Sequence, residues 1–449
     1  MNRTVLGTNL AVIGLAVLSA VPQYAADVRR LTLKEAVHLA VDQNRALKIA
    51  RLKVTENEQE KAGEHSGYFP VLTNQSNALH ITDLQNVVIP AGTLGEVGGA
   101  LIPAQSVAIP QGQLTFYSSG TQLSQPLTQL IRVRARNRMA AAEVAVSRED
   151  LKNAENQVAL RVHELYFGIL IASLQHQAAE EQTASAGEDL RESEEEVSKG
   201  SVLKVAAIRA RADVLKGRQN VLTAELQLAD LTTELDDVLG LPLDTRLELD
   251  PAVPTNFARR PREDYIRIAW SENPQISAAD EEVQKARAAV SVAKTAYIPD
   301  ITAYARHSYQ DGVPFLVRNF GTFGLHLDWV VFDFGKRQAA LRGREAQLAS
   351  AEENVRRLRD EVAVSIERCY NKLERTRNLV QVANQVLALR QEGERLARNQ
   401  LAEGIVLASE RRQATAATYQ AQADLLQASL GYLLAQAELE QAVGRTPGF

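Results

Sequence analysis

Cysteine, tryptophan and methionine are nearly missing from this chain: one, two and two in 449 residues, with aromatics at 5% overall. A single thiol, Cys369, cannot build an internal disulfide framework. It falls on the apolar seam of a helical segment and reads as core filler. Seven histidines are scattered with no pair four apart on a helix. Together with the scarcity of methionine, this argues against a dedicated metal relay. Serines, histidines and acids lie along long helical segments without a Gly-rich nucleophile turn, so neither an enzyme nor a bound cofactor is expected. Basic and acidic side chains nearly balance, 50 against 55, for a formal net charge of −5. That leaves no cationic excess for nucleic acid. Past the N-terminal region there is no long uninterrupted apolar run, so any membrane crossing is expected to use β-strands.

The N-terminus itself carries Arg3, an apolar stretch from Leu10 to Val21, and small residues around Tyr24-Ala25-Ala26. The run is short for a bilayer-spanning helix, and a secretory signal peptide over 1–25 is expected. Cleavage after Ala25 or Ala26 fits, and no cysteine lies nearby to take a lipid.

The rest of the chain is written nearly twice. Asn44 precedes Tyr68-Phe69-Pro70 as Asn273 precedes Tyr297-Ile298-Pro299, with a constant offset of 229 positions. Further on, Tyr166 matches Tyr370, Gly200 matches Gly404 and Gly240 matches Gly444, each 204 apart. Constant internal spacing over such lengths indicates two tandem copies of one unit. The first copy is placed at 26–240, a Pro-rich linker at 241–261, the second copy at 262–444 and a tail at 445–449. The change of offset falls in a Pro/Gly-rich stretch from Asn86 to Gly112, read as a loop most of which the second copy lacks.

Each copy opens with a helix, expected over 32–67 and 262–297. Thr32 followed by Glu35 forms a capping-box pattern. Strands and a loop follow over 71–127 and 301–332. In the second copy Phe323, Leu325, Leu327, Trp329 and Val331 alternate with Gly324, His326 and Asp328. One face is apolar and aromatic, the other small or polar. The pattern suits a sandwich core or a lipid-facing barrel; the export signal and the shortage of other strands favour the barrel.

The longest elements come next, helices over 130–199 and 334–403, then 201–240 and 405–443. Val144, Leu151, Val158 and Leu165 fall seven apart, as do Leu348, Val355, Val362 and Cys369, giving a heptad-like seam. At 1.5 Å per residue the long helix spans about 105 Å, roughly the summed length of the two shorter helices in its copy. A long hairpin with strands at one end and a tip at the other is therefore expected. Four strands cannot close a barrel, and open edges are intolerable in lipid, so several chains must share one pore.

This organisation resembles the TolC family of outer-membrane efflux proteins over nearly the whole mature chain. The carriers are the two-fold repeat, the LTLKEAVHLAVDQNRAL opening and its copy REDYIRIAWSENPQI, the YFP and YIP stops, the SQPL and FDFG strand-to-helix junctions, and the KGSVL and EGIVL turns. The resemblance implies a mostly α chain of coiled-coil hairpins that forms a homotrimer. Each protomer would give four strands to a twelve-stranded barrel in outer-membrane lipid, above a large periplasmic cylinder. It implies a passive duct in efflux or type I secretion that docks on a periplasmic membrane fusion adaptor and an inner-membrane pump. A soluble periplasmic coiled-coil or adaptor protein is the alternative. An adaptor usually carries one hairpin within β-domains, against two here.

On this reading the hairpin tips dock the adaptor through Gly200, Val202, Leu203, Gly404, Ile405, Val406 and Leu407. Family aspartates would fall at Ala206, Glu410 and Gln413, so Glu410 alone keeps a carboxylate for an acidic aperture ring. Arg411 and Arg412 stand beside it and could neutralise it. The tyrosine and arginine of the family's gate would fall at Leu401 and Val406. Neither is kept, so the family's way of holding the duct shut does not carry over to these positions. Phe323, Trp329 and Phe332 are candidates for the aromatic girdle. Arg132, Arg134, Arg136 and Arg138 are expected near the inner membrane edge or on the duct wall, or on a merely solvated face.

Overall fold

The computed structural model describes residues 29–243, 245–251, 260–312, 317–406 and 408–447. The expected signal peptide lies outside them, as does much of the expected linker. The first copy comprises β1 (Arg29–Leu31), α1 (Leu33–Gln43), α2 (Arg45–Ser66) and β2 (Val71–His80). Four short strands follow: β3 (Asn86–Ile89), β4 (Glu96–Val97), β5 (Ala100–Leu101) and β6 (Val107–Pro110). Then come β7 (Thr115–Pro126), α3 (Leu130–Ser198) and α4 (Lys204–Leu239). After β8 (Leu247–Leu249) the second copy runs through α5 (Arg262–Glu272), α6 (Pro274–Thr295), β9 (Asp300–Asp311), β10 (Asn319–Asp328), α7 (Lys336–Ala402) and α8 (Ala408–Val443).

The opening helices over 32–67 and 262–297 are each broken in two, at Asn44 and Asn273. The cause is local. Each asparagine leaves the helical backbone region, with ψ of 128° and 120°, and its side-chain oxygen caps the helix that follows. Asn44 Oδ1 accepts from the amides of Ala46 and Leu47, and Asn273 Oδ1 from that of Gln275. The free amide ends do a second job. Asn44 Nδ2 donates to the Val238 carbonyl, and Asn273 Nδ2 to that of Ala442, both at 3.0 Å. Those carbonyls are orphans of the last turns of α4 and α8. The same residue thus stops one helix, starts the next and seals the end of a third, in both copies. Thr32 and Glu35 form the expected capping box at α1.

Both long helices are flanked by shorter ones. Near the sheet the packing order is α2–α3–α6–α7; near the tips it is α4–α3–α8–α7. The main core sits between these halves, where α1 and β1 pack on α3 and α4. Val162, Leu165, Tyr166, Phe167 and Leu235 lie at its centre. Buried Tyr166 donates to the carbonyls of Leu31 (2.9 Å) and Asp250 (2.8 Å), clamping the parallel β1–β8 pair against the bundle. A second cluster around Ile366, Leu373 and Leu439 takes in Cys369 and Tyr370. Burial pushes the Cys369 thiol above its ordinary pKa. One 18-residue stretch of α3 averages a hydropathy of 1.2, with 44% of it buried. The sequence reading passed over it. Its apolar side chains belong to this core, which a helix wrapped on several sides needs.

The sheet has the order β10–β9–β7–β2, all antiparallel. β2 and β10 are its free edges. Two expectations are corrected here. The Asn86–Gly112 stretch is not wholly irregular, since β3 pairs with β6 and β4 with β5 in small ladders. The last strand stops at Asp328 rather than running on to 332, so Trp329, Val331 and Phe332 lie in the connection to α7. The chain turns there because Phe334 and Gly335 take φ of 53° and 92°. Asp333 holds the turn, accepting from the amides of Gly335 (3.2 Å) and Arg337 (3.0 Å) and from Arg337 Nε (2.8 Å).

Candidate functional site

The functional surfaces lie at the two ends of the bundle. At the tips, Gly200 and Gly404 take φ of 75° and 70° with open space where a Cβ would sit. Their role is conformational. The amide of Ser201 bonds the Glu196 carbonyl at 2.9 Å, and that of Ile405 bonds Gln400 at 2.8 Å. This is the closure of a glycine-terminated helix in both copies. Leu203 and Ile405 then protrude, 78% and 66% exposed. Val202 and Val406 are half-buried. The side chain of Leu407 lies outside the described residues.

Glu410 is exposed at the start of α8. The idea that Arg412 neutralises it is corrected. Arg412, only 17% exposed, bonds Asp189 Oδ1 at 2.7 Å and also Glu192, both on α3. Burial alone would weaken its hold on the proton; Glu192 and Asp189 outweigh that and strengthen it. The two hairpins are therefore clasped together just above the tips. A groove of about 500 Å³ runs beside the clasp between α3 and α8, lined among others by Glu181, Ser185, Arg411, Ala416 and Tyr419. Sequence reasoning missed this clasp, because it joins positions 220 and 223 residues apart.

At the other end, hydrogen bonds knit the strand-to-helix junctions together. Arg132 reaches Asp300 through both guanidinium ends (3.2 and 3.4 Å) and Thr295 through Nε (3.2 Å). Arg134, Arg136 and Arg138 are exposed. They do not share one helix face, as their alternation suits a strand and not α3. Thr128 donates to the Pro299 carbonyl and accepts from the Ile301 amide, each at 2.8 Å. Arg337 lies over the Tyr297 ring at 5.2 Å, which ties the YIP stop to the FDFG turn.

The sheet above has two unlike faces. Paired residues across the strands share a face. One carries His326, Thr302, Arg306 and Gln122, with the Arg306 guanidinium lying over Gly120. The other carries Leu327, Leu325 and Phe323 beside Ile301, Ala303 and Ala305. Phe323 is 90% exposed; Trp329 and Phe332 are exposed below it, and Phe332 meets Phe334 edge-on at 4.6 Å. A sheet that turns aliphatic side chains outward and a guanidinium inward is built to separate hydrocarbon from water.

Residues 36–241 and 265–445 match the family described as outer membrane efflux protein. The chain belongs to that family. Among curated relatives it is similar to the alkaline protease secretion protein AprF of Pseudomonas aeruginosa, 25% identical over 198 residues; the match covers 42% of this chain and 40% of that protein. Solved structures share the fold over far more of the length. The Campylobacter jejuni CmeC outer membrane channel superposes with a TM-score of 0.76 at 16% identity, over 92% of this chain and 85% of that one. The outer membrane protein VceC of Vibrio cholerae gives 0.71 at 14% identity, over 93% and 97%. The fold expected from the repeat is therefore the fold found.

Proposed function

We propose that the chain is the passive outer-membrane exit duct of a tripartite efflux or type I secretion system and works as a homotrimer. The observation that carries this is the four-stranded sheet with an apolar outward face and two unpaired edges. An open edge cannot persist in hydrocarbon, where each unpaired backbone group costs several kcal/mol, about the cost of leaving a buried amide unbonded. Three copies joined β2 to β10 give twelve strands and no edge. The names of the relatives support the assignment: AprF is a secretion protein, and CmeC an outer membrane channel. Leu203 and Ile405 at the tips suit a periplasmic adaptor that also presents a coiled-coil tip, with an inner-membrane pump behind it. Three copies of Glu410 would ring the aperture and favour cations. Extraction from membranes followed by planar-bilayer recording tests the whole reading. A trimer with steady conductance is expected, and Glu410→Ala should lower its cation preference. A mature chain that stays soluble and monomeric without detergent would refute the duct; unchanged ion preference in Glu410→Ala would remove the ring alone.

A further inference from the structure

The sheet's outward face changes character half-way up. Nearest the junction its cross-strand rows are mainly apolar; the one polar side chain among them, Gln125 beside Ala303 and Leu325, donates its amide to the Tyr68 and Pro126 carbonyls. Leu327 faces Ile301, and Phe323 lines up with Ala305, Leu123 and Leu72. Only two residues further from the junction, the next row reads Gly321, His307, Thr121 and Asn74. The row beyond that reads Asn319, Tyr309, Ser119 and Ser76. No aliphatic side chain and no formal charge occurs in either. Their side chains bond one another: Asn74 Nδ2 donates to Thr121 (2.8 Å) and Ser119 (3.3 Å), Ser76 lies 2.9 Å from Ser119, and His307 meets Asn319. Several acceptor and donor positions on these groups remain open to solvent.

Below the sheet the opposite holds. Phe69, Ile131, Trp329, Val331 and Phe332 are all exposed at the junctions. From Phe323 to Asp328, where the strand ends, the rise is about 16 Å, or about 13 Å at a barrel tilt near 40°, so the exposed apolar junction below is needed to complete the ~25 Å apolar band of such barrels. Length alone would also let the strands themselves fill that band, so composition decides.

Given the outer-membrane reading above, we propose that hydrocarbon covers only the lower half of the outward face and the junction beneath it. The upper half is a saccharide-contacting surface in the headgroup layer. Uncharged amides, hydroxyls and imidazole match sugar hydroxyls, and Tyr309 and the neighbouring Tyr117, both exposed, offer ring faces to sugar C–H groups. The two rows hold no Lys or Arg, and Arg318 just beyond them is engaged by Asp311, the partner of Tyr117, at 3.1 Å, which speaks against a phosphate site.

Spin labels placed on cysteine variants in a Cys369→Ser background test this. Leu123→Cys and Thr121→Cys sit on one strand in adjacent rows; Phe323→Cys and Ser119→Cys repeat the comparison. In vesicles of phosphatidylethanolamine and phosphatidylglycerol, the labels at 123 and 323 should collide mainly with oxygen, and those at 121 and 119 mainly with a nickel chelate. Adding lipopolysaccharide should cut nickel collisions at 121 and 119 at least twofold and leave 123 and 323 unchanged. Oxygen-dominated collisions at 121 and 119 would overturn the placement, and nickel collisions indifferent to lipopolysaccharide would overturn the saccharide contact. Nickel-dominated collisions at all four positions would instead refute the outer-membrane reading.

Discussion

At the residue scale, two asparagines and two glycines carry the repeat. Gly240 and Gly444 take φ of 70° and 99° and follow the helices that Asn44 and Asn273 seal. A Cβ on Gly240 would meet the Gln43 carbonyl at 3.1 Å; one on Gly444 would lie 2.4 Å from the Asn273 Cα. Gly444→Ala should therefore destabilise the protein more than Gly240→Ala, because backbone has to move in one case and only yield slightly in the other. Asn273→Ala should lower stability by about 1–2 kcal/mol through the lost cap, and by more once the Ala442 carbonyl loses its donor. Chemical denaturation of the detergent-solubilised protein checks both; equal midpoints for the two glycine variants would contradict the argument. Cys369 gives a pH test. Its thiol is raised above the ordinary thiol value, first by burial and then by Glu438. A raised pKa leaves less thiolate at any given pH, so alkylation of the folded protein should lag behind an unfolded sample. It should also go on accelerating with pH after the unfolded sample has levelled off. Identical rate profiles in the two states would show that the thiol is free.

At the element scale, the clasp from α8 to α3 is the feature with a mechanical consequence. Arg412→Gln removes the charge that holds Asp189 and Glu192 together. It should let the hairpins part and raise the fraction of time a bilayer-inserted channel conducts, with helix content unchanged by circular dichroism. An unaltered open fraction would show that the clasp is structural only. Long elements were legible in the sequence because their signals are local. Heptad spacing marks Val355 and Val362, positive-φ glycines mark the tips, and Tyr-x-Pro marks the stops. The breaks at Asn44 and Asn273 were not, because helical periodicity continues on either side of a single non-helical residue. Trp329 and Val331 kept the alternation of the strand before them, so period two persisted where the backbone had already left the sheet. The Arg412 clasp is a matter of tertiary neighbours, on which spacing in the chain is silent.

At the scale of the whole molecule, the open question is what covers the bundle's two flanks. In the tip half, α4 and α7 are the outer members of the helical row. Leu379, Val382, Val386, Leu389 and Leu396 stand exposed along α7, separated by three, four, three and seven positions. That is an a/d seam left largely uncovered among the described residues. The opposite flank matches it, with Val205, Ile208, Leu215, Leu222 and Leu226 exposed along α4. With an apolar seam on each flank, α7 of one copy can pack on α4 of the next, and head-to-tail joining of that kind closes as a ring. The strand edges β2 and β10 lie on the same two flanks and require the same operator. Leu389→Glu places a carboxylate in the seam without touching the cores around Tyr166 or Ile366. It should leave the protomer folded and abolish the ring, so that light scattering in detergent reports a single chain of about 49 kDa or less in place of three. Burying one leucine is worth about 1.5–3 kcal/mol, and three seams lose that together, in addition to the cost of desolvating three carboxylates. A variant that still runs as a trimer would mean that the α7 seam faces the duct or another protein, and that the strand edges alone hold the ring.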